Sequence, residues 1–161
     1  SFRGGCRVRL SSAVGTIPFR FSNEKTFKIF KDAGFEALDI SFFNKEEYID
    51  GLEKFYPLGD DYLQRAKQQR MLLDEMVLVC NQTHAPYGLK PDDTLDEENY
   101  HFKELVRSLE ATAILGAPHT VIHPLKPQSI DQVYDYNIKM FKALIPYCEK
   151  FGIKLLLKPV N

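Results

Sequence analysis

The sequence predicts an α/β fold on a parallel sheet, arranged as a partial (β/α)8 barrel of about the first five βα units. A pattern of helix, glycine, apolar strand and polar loop recurs with strand ends at Ser41, His123 and Lys158, and once without the glycine at His84. The repeat interval of roughly 35 to 45 residues is that of one strand-helix unit. Alternation of this kind requires a parallel sheet, either open or closed into a barrel. No glycine-rich dinucleotide fingerprint or Walker loop joins a strand to a helix, which favours the barrel.

The elements follow in order. An apolar stretch over residues 6–10 leads to Ser11 and Ser12 and reads as the first strand. Asn23 opens a segment with Phe27, Phe30 and Ala33 at helical spacing, and Gly34 stops it in capping position. Residues 35–41, apolar and bounded by that glycine and a polar loop, form the second strand. A less regular segment runs to Pro57. Over residues 60–76, Leu63, Ala66, Leu73 and Met76 recur at helical intervals; the apolar run 77–80 then starts a strand that ends at His84, ahead of Ala85 and Pro86.

A polar loop covers residues 89–96. The helix after it places Phe102, Leu105, Val106, Leu109 and Ala113 on one face, with Asp96, Glu97 and Glu98 at its start, where the helix dipole favours negative charge, and Gly116 at its end. Residues 119–123 lie between Pro118 and Pro124 and are β-rich, so they form a strand. Ser129 caps a last helix whose inner stripe includes Asn137, Met140, Leu144 and Cys148. Gly152 closes it. Residues 153–157 make a fifth strand, almost continuously apolar, as expected where both faces are covered.

The chain has 161 residues, 44% of them apolar and 27% charged, the balance of a globular domain with a sizeable core. We expect one domain over residues 1–161, incomplete at its C-terminal end, because a (β/α)8 barrel takes about 250 residues. The missing neighbour of the fifth strand predicts a homo-oligomer. A formal charge of -1 supplies no net cationic field, so no nucleic-acid partner is expected. Cys6, Cys80 and Cys148 are odd in number and widely spaced, as reduced thiols of a cytoplasmic protein would be. No apolar run reaches the roughly 18 residues that cross a bilayer, and no apolar signal core follows residues 1–5, so no membrane partner is expected.

In a parallel α/β sheet the functional side chains sit at the carboxyl ends of the strands. Those ends carry Ser41, His84, His123 and Lys158. Two histidines at equivalent positions of adjacent units, each followed within two residues by proline, form the strongest candidate pair, since neutral imidazole is a common metal ligand. His119 and His123 lie about 13 Å apart on a strand, at roughly 3.3 Å per residue, and no single ion bridges them. Cys80 reads as a buried apolar residue and His101 as a solvated one. Asp39 suits either a catalytic or a buried, hydrogen-bonded carboxylate, and Tyr87 and Lys90 are placed to meet a substrate hydroxyl or phosphate.

At these residues the chain resembles the xylose isomerase-like TIM barrel superfamily, which groups sugar-phosphate isomerases and epimerases with an apurinic endonuclease branch. The matching pieces are residues 33–40 (AGFEALDI), 83–87 (THAPY), 116–118 (GAP), 121–124 (VIHP) and 151–157 (FGIKLLL). The resemblance implies that His84, His123 and Tyr87 contact a small sugar or sugar phosphate, and that His84 and His123 help hold a divalent metal (Zn, Mn or Mg). At the end of the fifth strand the superfamily carries a metal-binding, acid-base glutamate. Here that position is Lys158, whose ammonium has no lone pair and repels a divalent cation, so metal binding is expected to be weak or absent.

The implied reaction is isomerisation or epimerisation by metal-assisted proton transfer next to a carbonyl, with the site incomplete in this chain and the chain alone inactive. Two other readings stand beside it: a zinc phosphodiesterase acting on abasic DNA, and a non-catalytic assembly module.

Overall fold

In the computed structural model, which describes residues 9–126 and 129–158, five strands form one parallel sheet: β1 (Ser11–Ala13), β2 (Ala37–Ser41), β3 (Val79–His84), β4 (His119–Ile122) and β5 (Lys154–Leu157). Their spatial order is their chain order. Four helices connect them: α1 (Asn23–Asp32), α2 (Tyr62–Glu75), α3 (Tyr100–Leu115) and α4 (Ile130–Phe151). Each crossover of strand, helix and parallel neighbouring strand is the unit from which a barrel wall is built. Cys6 and the opening residues lie outside the described residues.

Local chemistry places the helix ends. The Ser22 hydroxyl accepts from the Lys25 amide at 3.2 Å and starts α1. Asn99 caps α3 through Phe102 N–H at 3.0 Å; the acidic residues 96–98 therefore precede the helix rather than fill its first turn. Ser129 stands at the N-cap of α4 without a side-chain capping bond. Gly116 and Gly152 end α3 and α4 in the left-handed conformation that glycine adopts without a Cβ penalty.

The first strand and the start of the third differ most from the sequence reading. The first strand sits at Ser11–Ala13, with Leu10 reaching the sheet only through its carbonyl, which accepts from Glu36 and Ala37. Residue 77 belongs to a turn: Val77 takes a φ of 53° and is 76% exposed, so β3 begins two residues later. The irregular segment before α2 contains two 3-10 turns, Lys45–Glu47 and Glu53–Phe55, and feeds Tyr48, Tyr56 and Leu58 into the core.

The helices cover one face of the sheet. Leu38, Ile40 and Cys80 pack with Phe27, Ala66 and Leu73 in one cluster, while Ile122 packs with Phe102, Leu109, Met140 and Leu144 in a second. Leu63 of α2 stays 38% exposed, and Gln69 takes an inward position instead. Between the clusters, Thr83, Thr112 and Thr120 join β3, α3 and β4 through hydroxyl bonds of 2.7 Å, all three fully buried. The helix-facing side of this sheet is packed with apolar and hydroxyl side chains, and chemistry falls to the opposite face.

Candidate functional site

Strand alternation sends odd and even residues to opposite faces. With Leu38, Ile40, Thr83, Thr120 and Ile122 turned toward the helices, Asp39, His84, Val121, His123 and Lys158 share the other face. The register sharpens this. A shift between Leu38 and Asp39 sets Asp39 opposite Gln82 and Ser41 opposite His84. Such a bulge re-aims the side chains beyond it.

Its product is a part-buried dyad. Asp39, 7% exposed, sets one carboxylate oxygen 2.9 Å from His84 Nδ1, and its other oxygen accepts from the Gln82 amide at 2.6 Å. A carboxylate only accepts, so this bond puts a ring proton on Nδ1 and fixes the orientation of the ring. Asp39 is thus a hydrogen-bonded partner that orients His84.

His123 lies at the end of the neighbouring strand, its ring centroid 6.0 Å from that of His84. Tyr87 stacks on it at 3.8 Å. Burial, then the charges of Lys158, His84 and Lys126, depress the His123 pKa from the ordinary 6.5 to about 4. Near neutrality this imidazole is uncharged and offers one donor and one acceptor. Lys158 follows the last register pair of β4 and β5, Ile122 with Leu157, and its N–H donates to the Ile122 carbonyl at 3.1 Å. That bond holds Lys158 beside His123, one strand away and on the same face. Lys90, by contrast, lies on an exposed loop where its amide bonds Asp93.

A second polar cluster supports the loops behind this row. Glu104 of α3, 1% exposed, accepts from the Lys45 amide at 3.0 Å, from Tyr100 at 3.1 Å, and from Tyr56 through a very short bond. Burial pushes its carboxyl up, while those donors pull it down. His101 is not solvated, as its sequence context suggests; it sits 3.2 Å from Glu104 with 23% of its side chain exposed. The backbone of Gly88, at a φ of +125°, passes so close that a methyl there would lie 2.5 Å from His101. Asn44 ties the loop further by donating to the Tyr87 carbonyl at 3.3 Å. The Glu104 cluster thereby backs the segment that lays Tyr87 on His123. No motif marks it, because a glutamate inside a helix reads as solvent-facing.

A divalent cation finds an incomplete ligand set in the strand-end row. His84 and His123 offer two imidazoles, Asp39 already has both oxygens engaged, and the next place holds an ammonium. Among the described residues, the group of three ligand-type side chains whose atoms lie within 4.8 Å of one another is Glu46, His101 and Glu104, one layer behind. The row does not fit a metal by itself.

The described residues contain no helix long and apolar enough to cross a membrane. Residues 27–161 match the model of the xylose isomerase-like TIM barrel family, and the chain belongs to it. Solved structures agree on the fold. The 3-keto-D-glucoside 4-epimerase YcjR from E. coli superposes with a TM-score of 0.68 at 17% identity, over 96% of this chain and 57% of that one. A putative xylose isomerase from Rhodospirillum rubrum gives 0.67 at 18% identity, over 96% and 55%. A D-tagatose 3-epimerase-like protein gives 0.65 at 16%, over 93% and 52%. The chain thus spans about half the length of these relatives. No curated protein sequence matches it significantly.

Proposed function

We propose that this chain forms the substrate-holding wall of a sugar or sugar-phosphate isomerase or epimerase, in which a proton is moved next to a carbonyl. The observation that carries this is the Asp39–His84 dyad beside His123 at the carboxyl ends of adjacent parallel strands, where barrel enzymes place their chemistry. His84 accepts a proton at Nε2 or donates one to a substrate oxygen, while Asp39 steadies the imidazolium. His123, uncharged near neutrality, hydrogen-bonds a hydroxyl. Tyr87 holds that ring flat and presents an aromatic surface to the C–H face of a sugar.

Exchanging a proton across a stereocentre requires a second acid-base group, and the fifth strand end offers Lys158 where the family's glutamate would stand. In our reading these 161 residues form a single domain that binds sugar, and their own side chains do not complete turnover. The zinc phosphodiesterase reading is weaker, since it needs a metal cluster and a cationic surface, and neither a third ligand in the row nor a net positive charge supports it.

The test is calorimetric titration of the protein with a panel of ketoses and ketose phosphates, paired with NMR of the histidine C2 protons. Binding should perturb both rings, and His84→Ala or His123→Ala should each weaken it by about tenfold or more, the loss expected for one hydrogen bond to a buried polar site. Binding that survives both substitutions would place the sugar elsewhere.

A further inference from the structure

We propose that the end of β5 is an oxyanion site: Lys158, with His123 beside it at the end of β4, holds the phosphate of a phosphorylated sugar where a carboxylate-bound metal would otherwise sit. The inference deepens the sugar-binding reading and rests on it.

The register carries the argument. On the open face of the sheet, the strand ends run from Asp39 through His84 and His123 to Lys158. The one carboxylate in that row, Asp39, stands at the β2 end, hydrogen-bonded to His84 and Gln82 and three strands from Lys158. At the far end, Lys158 makes no ion pair among the described residues.

A divalent cation and a phosphate make opposite demands on such a place. The cation needs lone pairs from three or more ligands, and an ammonium offers none while repelling it. A phosphate needs donors and positive charge. The Lys158 ammonium supplies three N–H donors and His123 a fourth from a ring nitrogen, and such charge-assisted bonds are about twice as strong as neutral ones. Lys158 is exposed, so its ammonium remains solvated until the ligand arrives. The β4–β5 hydrogen bond fixes its backbone, so only the side chain need be ordered on binding.

The experiment compares a ketose phosphate, the same unphosphorylated ketose and inorganic phosphate as ligands, by calorimetry at low and physiological salt. The wild-type chain should bind the ketose phosphate about tenfold or more tighter than the neutral ketose, with the preference shrinking as salt screens the charge. Lys158→Met should abolish that preference while leaving the neutral ketose unchanged. Lys158→Glu should invert the site, losing phosphate and gaining zinc or manganese affinity that His84→Ala removes.

Equal affinity for the two ketoses, or a preference that persists in Lys158→Met, overturns the oxyanion site while leaving the sugar reading intact. Phosphate binding that depends on Lys158, without binding of any ketose, overturns the sugar reading and keeps the oxyanion site. Tight zinc binding by the wild-type chain through His84 and His123 overturns the exchange of metal for anion.

Discussion

His123 reports on the whole site through a single proton. Its pKa of about 4, set first by burial and then by neighbouring cations, lies below the ordinary 6.5, so between these values the unfolded chain binds more protons than the folded one. Stability accordingly rises with pH across that window, is fully present above it, and is lost as pH falls toward 4. Titration of the His123 C2 proton by NMR should give a midpoint near 4, and Lys158→Met should raise it partway, since burial remains. A midpoint at the ordinary value in the wild type would show that the ring is open to water and unaffected by Lys158.

At this scale His84 and His123 were legible because strand ends in a parallel sheet are marked by the β-rich runs before them. The Asp39–His84 bond was not, because it depends on a one-residue bulge at Asn81 of β3, opposite the Leu38–Asp39 step, that no residue pattern announces. Glu104 and His101 were missed for a related reason. Their burial is created by the 3-10 turn at Lys45–Glu47 and by Gly88, both distant in sequence.

Elements were read best where a glycine punctuates them and worst where one is absent. The α3 and α4 ends carry Gly116 and Gly152 in the left-handed conformation, and the expected boundaries fall there. The turn from α2 into β3 makes the same bend with Val77, a β-branched residue at a φ of 53° whose side chain is 76% exposed. This explains both the misplaced strand start and a local cost. A left-handed L-residue costs roughly 1 to 2 kcal/mol, part of which glycine returns in unfolded-state entropy. Val77→Gly should thus stabilise the chain by about 1 kcal/mol in urea unfolding, with an unchanged dependence on denaturant. No gain would mean that Val77 has an apolar partner worth as much as the strain.

Asn137 teaches the converse lesson. Its position in the inner stripe of α4 was legible, but its work was not: its amide bonds both the N–H and the carbonyl of Leu125, at 2.7 and 3.0 Å, and so pins the loop that follows His123.

For the whole molecule, the open question is what meets β5. The sequence reading expected an apolar strand covered on both faces, but Leu156 is 40% exposed and Leu157 55%. The difference follows from the sheet order, which among the described residues gives β5 one neighbour, β4. Beside it, Ile122, Phe141, Ile145, Cys148, Leu155 and Leu157 line an open apolar groove of about 420 Å³ on the helix side. An apolar edge strand with unpaired backbone groups is a template for another strand, and Lys154 is its one charged residue. We therefore expect the 161-residue chain to self-associate through β5, pairing edge to edge and closing the groove. Light scattering at micromolar concentration should show a dimer or larger assembly. Leu157→Lys should shift it toward monomer, because burying an ammonium in that groove costs more than the leucine contributed. A well-folded wild-type monomer would overturn the claim and show that β5 tolerates water on its own. An assembly unchanged by Leu157→Lys would place the contact away from β5.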